Sequence, residues 1–440
     1  MTADHPPTFR QDAKGPIAFL IGGVVGASIF ALGSMGLRSR QTLDPDLAFY
    51  QQVREIVGAE FVQERGDQEL LVSAVKGLTD NLDIYSRFYS GEDLARIERS
   101  TSGTFLGLGA IFAEPVEKGV LLFPMADSPA QRAGLSVGDR ILAVGEDYLD
   151  TMAPDAFHTI LRSLTAESLE LLVESSTGET RSLTVQPESI VDPTVRHGAL
   201  LEDSVGYLAI TSFSRRTLEE FDAEVEHLQA EGMTGLVLDL RNNPGGVLRS
   251  ALAIANRFVD EGPLLYTDSR MGREEKRAEA DEAHLLGLPL VVLIDRDSAS
   301  SSEVLAGTLQ DHRAAVVVGM PSYGKGTVQT LTTLESPHSI LKVTTAFYTT
   351  PSGRQIDRHY SGDKEAAITP DLLVAQAADR ETVVRARTSS YSAPRIYRDA
   401  VRDLQESLGL ESAPLWSEDE QLAAAVNLLL GMQPSYGESL

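Results

Sequence analysis

The feature that most limits how this chain can fold is a regular alternation of apolar strands and helices between residues 205 and 319. The runs GYLAITSF, GLVLDLR and LVVLID predict strands, and the segments 215–231, 247–260 and 301–312 predict helices. Strands and helices that alternate along a chain usually build one sheet covered by helices. The sequence therefore predicts an α/β core.

The segments on either side of this core have other patterns. Residues 42–100 place apolar residues at helical spacing, as in LAFYQQVREIVGAEFV, with an expected loop at DIYSRFYSGED. Residues 101–188 contain short strand-like runs between Gly, Pro and Asp turns, with one helix near APDAFHTILRSL, which predicts a compact, mostly β domain. The core then spans 189–377, and residues 378–440 are charged and helix-patterned.

The N-terminal segment is different in kind. Residues 17–37 carry no charge and are numerous enough to cross a hydrocarbon core of about 30 Å as a helix. The alternative is a cleaved signal peptide, but the run is long for the apolar part of such a signal and no A-x-A site follows it. We therefore expect a short tail over 1–16 and an uncleaved transmembrane anchor over 17–37. The basic residues on its two flanks balance and do not orient it.

Composition excludes several classes of function. The chain has 440 residues, a formal net charge of -26 and a pI near 4.7, so it would repel DNA or RNA. It contains no cysteine, which excludes disulfides, thiol catalysis and cysteine zinc sites. None of its 8 histidines lies in an H-E-x-x-H pattern. We expect neither a metal site nor a cofactor.

The stretch VVVGMPSYGKGT has the spacing of a nucleotide-phosphate loop, with Gly319, Gly324 and Lys325 at the positions of G-x-x-x-x-G-K. Such a loop needs Ser or Thr directly after the lysine to bind Mg²⁺, and it opens a helix. Here Gly326 follows, and TVQTLTTL alternates with the period of a strand. The sequence argues against a nucleotide and leaves Lys325 to another chemistry.

A serine-rich turn, SASSSE, follows the strand LVVLID and opens a helix. Serines at such a turn are usually N-caps, but a nucleophile there would gain from the helix N-terminus, which stabilises an oxyanion. His312 lies about 18 Å along the same predicted helix and cannot reach Ser300. Lys325 follows the next strand and returns to the same end of the sheet. A lysine acts as a base only when its pKa falls, which burial supplies, and its sequence neighbours include no acid to oppose this.

Four segments resemble the signature segments of the carboxyl-terminal processing (tail-specific) proteases, which are serine endopeptidases with a Ser-Lys dyad. The segments are DLRNNPGG, DSASSSEVLAGTLQDHRAAVVVG, YGKGTVQT and FYTTPSGRQI. Upstream, LLVSAVKGLTDNLDIYSRFYS resembles the family's N-terminal helical segment, and GTFLGLGAIF with DSPAQRAGLSVGDRILAVG resembles its PDZ domain. The resemblance implies a ClpP/crotonase-like α/β protease core with an inserted PDZ domain and helical terminal regions.

The resemblance assigns the nucleophile to Ser300, the general base to Lys325 and an assisting glutamine to Gln329. If residues 327 onward form a strand, about 13 Å of rise separates the backbones of Lys325 and Gln329, so their contact requires a bend. Ser301 and Ser302 place two further hydroxyls beside Ser300, which leaves the choice of nucleophile open. The resemblance also implies backbone oxyanion donors at Gly245, Gly246 and Ser301.

In the PDZ-like segment, FLGLGA resembles a carboxylate-binding loop, whose N–H groups bind the C-terminal carboxylate of a peptide that adds a strand to a sheet edge. An ordinary glycine turn is the alternative. Arg140 would link peptide occupancy to the active site, as the corresponding arginine does in some relatives, and a solvated arginine is the alternative. The loop consists of Phe105, Leu106, Gly107, Leu108, Gly109 and Ala110.

Together these features predict a serine endopeptidase that recognises apolar C-terminal tails of proteins and cleaves them through an acyl-enzyme. The resemblance implies a single-pass protein of the inner (cytoplasmic) membrane with its catalytic domain in the periplasm. Helical regions at both ends suggest a homodimer or larger assembly, and activation by an adaptor protein is an open question. The alternatives are a catalytically silent binding protein on the same fold and a PDZ adaptor whose core is a scaffold.

Overall fold

The computed structural model describes residues 44–375 apart from short gaps, together with 395–407, 416 and 419–432. The gaps fall at residues 92, 95–96, 98–102, 114–117, 154–155, 163, 166, 197, 203, 336–337 and 364. The expected membrane anchor at 17–37 lies outside the described residues. Among the helices that the structure does describe, none combines the length and the apolar character needed to cross a bilayer.

The chain divides after Gly77 into two compact units. In the first unit, helix α1 spans Pro45–Glu60 and begins at Asp44, whose Oδ1 accepts a hydrogen bond of 3.0 Å from the Asp46 N–H. Helix α2 spans Asp67–Asp80, so its last three residues belong to the second unit. The apolar periodicity of this segment predicted both helices correctly. Helix α1 buries none of its side chains, and its exposed apolar residues are Leu47, Phe49, Val53, Ile56 and Val57.

The second unit begins with a short strand and a β-rich region. Its strands are β1 Arg87–Ser90, β2 Thr104–Gly107, β3 Ala110–Phe112, β4 Leu121–Pro124, β5 Arg140–Val144, β6 Asp147–Tyr148, β7 Leu169–Glu174, β8 Thr180–Val185 and β9 Glu188–Val191. Its helices are α3 Pro129–Arg132 and α4 Ala156–Arg162. Strands β5 to β8 form one antiparallel sheet, and β2 pairs with β9. Leu121, Ile141, Phe157, Leu171 and Val173 fill a core of its own.

The remaining strands are β10 Ala199–Leu201, β11 Val205–Ala209, β12 Gly235–Asp239, β13 Pro263–Ser269, β14 Gly272–Arg277, β15 Leu290–Ile294, β16 Val316–Gly319, β17 Thr327–Glu335, β18 His338–Thr349 and β19 Leu372–Leu373. The helices among and after them are α5 Thr217–Ala230, α6 Leu248–Asn256, α7 Ser301–Asp311, α8 Arg398–Ser407 and α9 Glu420–Met432. The positions of α5, α6 and α7 confirm the three helices predicted for the core.

The central sheet has the order β10-β11-β12-β15-β16-β19, and all its pairs except β10 with β11 are parallel. Every residue of β11, β12 and β15 is buried, as expected for strands covered on both faces. One face packs on α5, α6 and α7. The opposite face packs on α9 through Leu422, Ala425, Val426 and Leu429. The predicted α/β core is therefore confirmed.

A second sheet joins β1, β18, β13 and β14, with β17 also paired to β18. Strand β1 lies in the segment DIYSRFYSGED, where a loop was expected, so that prediction is wrong for residues 87–90. The segment forms a strand because buried Phe88 pairs in register with Leu341 of β18. The hairpin of β13 and β14 was not predicted either.

A buried ion network connects the end of β12 to the start of α9. The Arg241 guanidinium donates to Asp239 Oδ2 at 2.6 Å and to both carboxylate oxygens of Asp419 at 3.0 Å. Gln421 Oε1 accepts a further hydrogen bond of 3.1 Å from Arg241, and the Tyr207 hydroxyl donates to Asp239 at 2.8 Å. The network anchors α9 directly beside the turn that follows β12.

Candidate active site

A cavity of about 1450 Å³ lies between the carboxyl ends of the central strands, the β17–β18 hairpin and strand β2. It brings together most of the residues that the sequence singled out. From the core, these are Ser300, Ser301, Lys325, Gln329, Gly245 and Gly246, and from the PDZ-like segment they are Phe105 and Leu106.

Ser300 lies at the N-terminus of α7 with φ 57° and ψ -114°. A positive φ is uncommon for a residue with a side chain and is typical of strained, functional positions. The two serines that follow are committed elsewhere, because Ser301 Oγ donates to the Gly246 carbonyl at 3.0 Å and Ser302 Oγ to the Asn243 carbonyl at 2.9 Å. Of the three hydroxyls, the geometry favours that of Ser300 as a nucleophile.

The glycine turn after β12 packs closely against Ser300 Cβ and the backbone on either side of Ser300. A Cβ on Gly245 would lie 2.8 Å from Ser300 Cβ and 2.9 Å from the Ser301 nitrogen, and a Cβ on Gly246 would lie 2.1 Å from the Phe213 carbonyl oxygen. Real Cβ atoms do not approach so closely, and φ is 95° at Gly245 and 147° at Gly246. Only glycine fits at either position, so the turn can approach both Ser300 and a bound peptide.

The three predicted oxyanion donors are not equivalent. The Gly245 N–H donates to Asn243 Oδ1 at 2.9 Å, so in this structure it is occupied and the prediction for Gly245 is corrected. The N–H groups of Gly246 and Ser301 donate to no acceptor within the part of the chain that the structure describes. These two groups remain available to stabilise negative charge beside Ser300.

Two buried carboxylates hold the glycine-lysine loop. Glu303 accepts hydrogen bonds from the N–H groups of Gly324 at 2.7 Å and Lys325 at 2.9 Å, and Asp357 accepts one from Gly326 at 3.0 Å. A phosphate loop would use three consecutive N–H groups of this kind to bind its ligand. Here internal carboxylates occupy them, which agrees with the rejection of a nucleotide site.

Glu303 also connects this loop to the nucleophile turn. Its carboxylate accepts hydrogen bonds from the Ser300 N–H at 2.8 Å and the Ser322 hydroxyl at 2.6 Å, so it has four donors in all. The residue is fully buried. Burial raises the pKa of the Glu303 carboxyl and outweighs the hydrogen bonds, which lower it. Sequence reasoning missed Glu303, although the spacing of Ser300 and Glu303 is that of a capping box.

Lys325 is largely enclosed, and its Nζ lies 4.8 Å from the centre of the Tyr85 ring in a cation–π contact. Burial lowers the pKa of the Lys325 ammonium and Lys342 lowers it further, whereas Glu303 and Asp357 raise it. The sequence neighbours of Lys325 include no acid. The fold nevertheless brings Glu303 and Asp357 from distant segments, and both oppose the lowering of the Lys325 pKa.

The structure places Gln329 in the cavity but not against Lys325. The Gln329 amide donates to Thr327 Oγ1 at 2.8 Å, and a bulge lies between Val328 and Gln329. Among the described residues, no hydrogen bond joins Gln329 to Lys325, nor Ser300 to Lys325. The catalytic contacts of Gln329 and of the Ser-Lys pair therefore stay predictions.

Tyr348 is a further group that the sequence did not single out. It is buried, its hydroxyl donates to the Lys325 carbonyl, and it lies beside the Ser300 side chain. Burial raises the pKa of the Tyr348 phenol, which keeps it a neutral donor. Its position links the backbone of the predicted base to the predicted nucleophile.

Comparisons with known proteins identify the family of this chain. Residues 204–374 match the sequence model of peptidase family S41. The carboxy-terminal-processing protease of Bartonella bacilliformis is 31% identical over 369 residues, which cover 82% of this chain and 82% of that protein. The chain belongs to peptidase family S41.

Other relatives of this S41 peptidase are similar along much of their length. The carboxyl-terminal-processing protease of a Synechocystis species is 33% identical over 320 residues, covering 70% of this chain and 72% of that protein. The solved structure of a photosystem II D1 C-terminal processing protease covers 78% of this chain and 92% of its own at 26% identity, with a TM-score of 0.43. The family match and the curated relatives make the chain a serine peptidase whose relatives are carboxy-terminal-processing proteases.

The predicted peptide loop of this S41 peptidase runs from β2 through a turn into β3. Within that turn, the carbonyl of Gly109 accepts from the Met125 N–H at 2.8 Å and the carbonyl of Leu108 accepts from the Ala130 N–H at 2.8 Å. The N–H groups of Leu108 and Gly109 donate to no acceptor among the residues described. Two adjacent N–H groups therefore remain available in the turn.

Arg140 does not line the cavity. It lies on β5 with a half-exposed side chain and forms a salt bridge of 2.8 Å with Glu174 on β7. This arrangement favours the solvated alternative over a direct link between peptide binding and the catalytic residues.

Replacing Glu303 by glutamine should lower kcat about a hundredfold, a loss typical of misplaced catalytic groups. The new amide would direct its NH₂ group at some of the four donors that now bind the carboxylate, and so shift Ser300 and Lys325 apart. Steady-state kinetics on a cleavable tail peptide would measure the loss. Glu224→Gln is the matched control, because Glu224 accepts from the Gly198 N–H and does not line the cavity. Equal kcat in the two variants would contradict this positioning role.

Proposed function

We propose that this S41 peptidase cleaves peptide bonds through an acyl-enzyme, with Ser300 as nucleophile and Lys325 as general base. The observation that carries the proposal is the shared cavity. Ser300 heads α7 in a strained conformation, Lys325 is enclosed nearby, and the glycine turn touches Ser300. These are a nucleophile, a base and an oxyanion site, the groups that acyl transfer requires.

The reaction follows from these groups. The neutral Lys325 amine accepts the proton of Ser300 Oγ, and the oxygen attacks the substrate carbonyl carbon. The N–H groups of Gly246 and Ser301 stabilise the resulting oxyanion, aided by the positive N-terminal end of α7. The Lys325 ammonium then gives its proton to the leaving amine, and water hydrolyses the acyl-enzyme by the same steps. The lowered pKa of Lys325 supports its role as base.

The proposal requires the Lys325 side chain to move. Its Nζ now contacts the Tyr85 ring and makes no hydrogen bond to Ser300 among the described residues. Catalytic hydrogen bonds often form only when substrate is bound, and a lysine side chain changes rotamer easily. We infer that substrate entry turns Lys325 from Tyr85 toward Ser300, with Gln329 assisting from the same cavity.

Residues 101–188 would act as a PDZ domain that binds apolar C-terminal tails. The free N–H groups of Leu108 and Gly109 suit a terminal carboxylate. Phe105 and Leu106 line the same cavity as Ser300, so a tail held near this loop would lead toward the nucleophile. Recognition and cleavage would then act on one continuous substrate chain.

Anchoring and assembly complete the proposal. Residues 17–37 would hold the protein in the inner membrane with the catalytic domain on the periplasmic side. The exposed apolar side chains of α1 suit the packing of two copies into a homodimer. Regulation by an adaptor protein would then act through the PDZ domain or the mobile Lys325.

The first test uses full-length protein in detergent with two reporters that differ only in an apolar or an acidic C-terminal tail. We expect faster cleavage of the apolar-tailed reporter, and we expect a fluorophosphonate probe to label Ser300, as mapped by mass spectrometry. Cleavage without labelling of Ser300 would contradict the assignment of Ser300 as the nucleophile. Binding of the apolar tail with neither cleavage nor labelling would instead favour the silent adaptor.

A further inference from the structure

A second lysine faces the cavity that contains Lys325. Lys342 lies on β18 directly opposite Leu331 of β17, and Gln329 lies two residues away on the same face of the hairpin. All three side chains line the cavity. The hairpin therefore presents one cation, Lys342, toward the predicted catalytic lysine.

Lys342 has no anionic partner among the residues described. It forms no salt bridge there, and its partner in register on β1 is Arg87, another cation. The acid that raises the pKa of Lys342 is Asp83, whose carboxylate already accepts hydrogen bonds from Tyr85 and from Ser86. Burial lowers the pKa of the Lys342 ammonium and Arg87 lowers it further, while Asp83 raises it. A largely buried cation without a partner is destabilising, so its position requires an explanation.

We infer that Lys342 is a positioning residue that acts on Lys325 through charge, favouring the unprotonated amine that takes the serine proton. This inference rests on the proposed role of Lys325 as general base. The geometry supports it because both side chains line one cavity, and charge repulsion between partly buried groups is screened less than between fully exposed ones. A neighbouring cation is one of the ways by which proteins activate a lysine.

The other ionisable groups around Lys325 explain why a cation is needed there. Glu303 on α7 and Asp357 after β18 both raise the pKa of Lys325 and so favour its inactive ammonium form. Tyr85 and Tyr348 face it as neutral phenols, since burial raises the pKa of each. Glu303 and Asp357 have a structural role, because they accept hydrogen bonds from the N–H groups of Lys325 and Gly326 in the lysine loop. Lys342 offsets their effect on the charge of Lys325.

The test is the pH dependence of kcat/KM for a tail peptide in the wild type, Lys342→Met and Lys342→Arg. The acid limb of this profile reports the ionisation of the free base. Lys342→Met should move the limb to higher pH and lower kcat/KM at neutral pH about tenfold, as for loss of one nearby unit charge, with recovery at alkaline pH. Lys342→Arg keeps the charge and should keep the wild-type profile.

Two outcomes would overturn the inference. One is a Lys342→Met variant that loses activity equally at every pH, which would mean that Lys342 binds substrate or is only structural. The other is an unmoved profile with full activity. Lys342→Gln, with thermal unfolding of each variant, separates a fold defect from a charge effect. Lys325→Ala is measured alongside: activity in that variant would contradict the proposed base itself, whereas its inactivity leaves the Lys342 result to decide this inference alone.

Discussion

Replacing Ser300 by alanine should reduce kcat/KM for a cleavable tail on the order of a million-fold, as for loss of the nucleophile in other serine peptidases. The loss is complete for practical purposes because no neighbouring group can form the acyl-enzyme. The hydroxyls of Ser301 and Ser302 donate to the carbonyls of Gly246 and Asn243, which fixes them within the turn. Product formation followed by mass spectrometry over long incubations would measure the residual rate.

Ser302→Ala is the control for this experiment. It removes a serine Oγ two residues beyond Ser300, and it breaks one buried hydrogen bond, worth about 1 kcal/mol of stability. We expect it to keep kcat/KM within about tenfold of the wild type. Cleavage by Ser300→Ala at a rate near that of Ser302→Ala would show that the nucleophile lies elsewhere.

Substitutions of Lys325 extend the same prediction to the base. Lys325→Ala and Lys325→Arg should both be inactive, because arginine keeps the charge but does not release its proton at accessible pH. If Lys325→Arg retained activity, the lysine would serve as a fixed charge and not as a base. The double variant that combines Lys325→Ala with Ser300→Ala should be no less active than Ser300→Ala alone, since Ser300 and Lys325 act as one unit.

The largest expected change in stability comes from replacing Arg241 by methionine. The Arg241 side chain is 0% exposed, and its partners Asp239 and Asp419 are 3% and 1% exposed. The substitution removes the cation that binds two buried carboxylates, and removal of one member of such a buried pair typically costs about 3–5 kcal/mol. Urea unfolding followed by circular dichroism should show this as a lower midpoint.

Arg257→Met makes the matched comparison. Arg257 also binds two carboxylates, but its partners Asp222 and Glu282 are 32% and 50% exposed, so water can solvate them once the cation is removed. We expect a loss of about 1 kcal/mol or less from these contacts. Equal destabilisation by the two substitutions would contradict the argument that burial decides the effect.

The sequence predicted the α/β core correctly because the core strands and helices each carry their own apolar signal. Strands β11, β12 and β15 are buried on both faces and read as continuous apolar runs. Strand β14 has the sequence GREEKR and is exposed throughout, so it is a strand only through its pairing with β13. Strand β1 likewise depends on β18, whose Thr344 N–H bonds a Ser86 hydroxyl 258 residues earlier.

In the candidate site, too, the sequence did not predict contacts between groups that lie far apart in the chain. Family resemblance located Ser300 and Lys325, but the carboxylates that hold the lysine loop come from other segments. Glu303 lies 22 residues from Lys325 in the sequence, and Asp357 lies 31 residues from its partner Gly326. Their influence on the pKa of Lys325 depends on three-dimensional proximity, which local sequence does not contain. The occupied N–H of Gly245 likewise depends on the rotamer of Asn243.

The attachment of α9 has a consequence for the order in which the contacts around the turn after β12 form during synthesis. Arg241, which lies four residues before Gly245, finds its partner Asp419 only 178 residues later in the chain. At the usual rate of translation, that interval lasts on the order of ten to forty seconds. Until then, the face of the central sheet that packs on α9 is uncovered, and the Arg241 guanidinium has only Asp239 of its three partners. A nascent chain therefore contains Ser300 before it contains Asp419 and Gln421, the residues that complete the hydrogen bonds of Arg241 after β12.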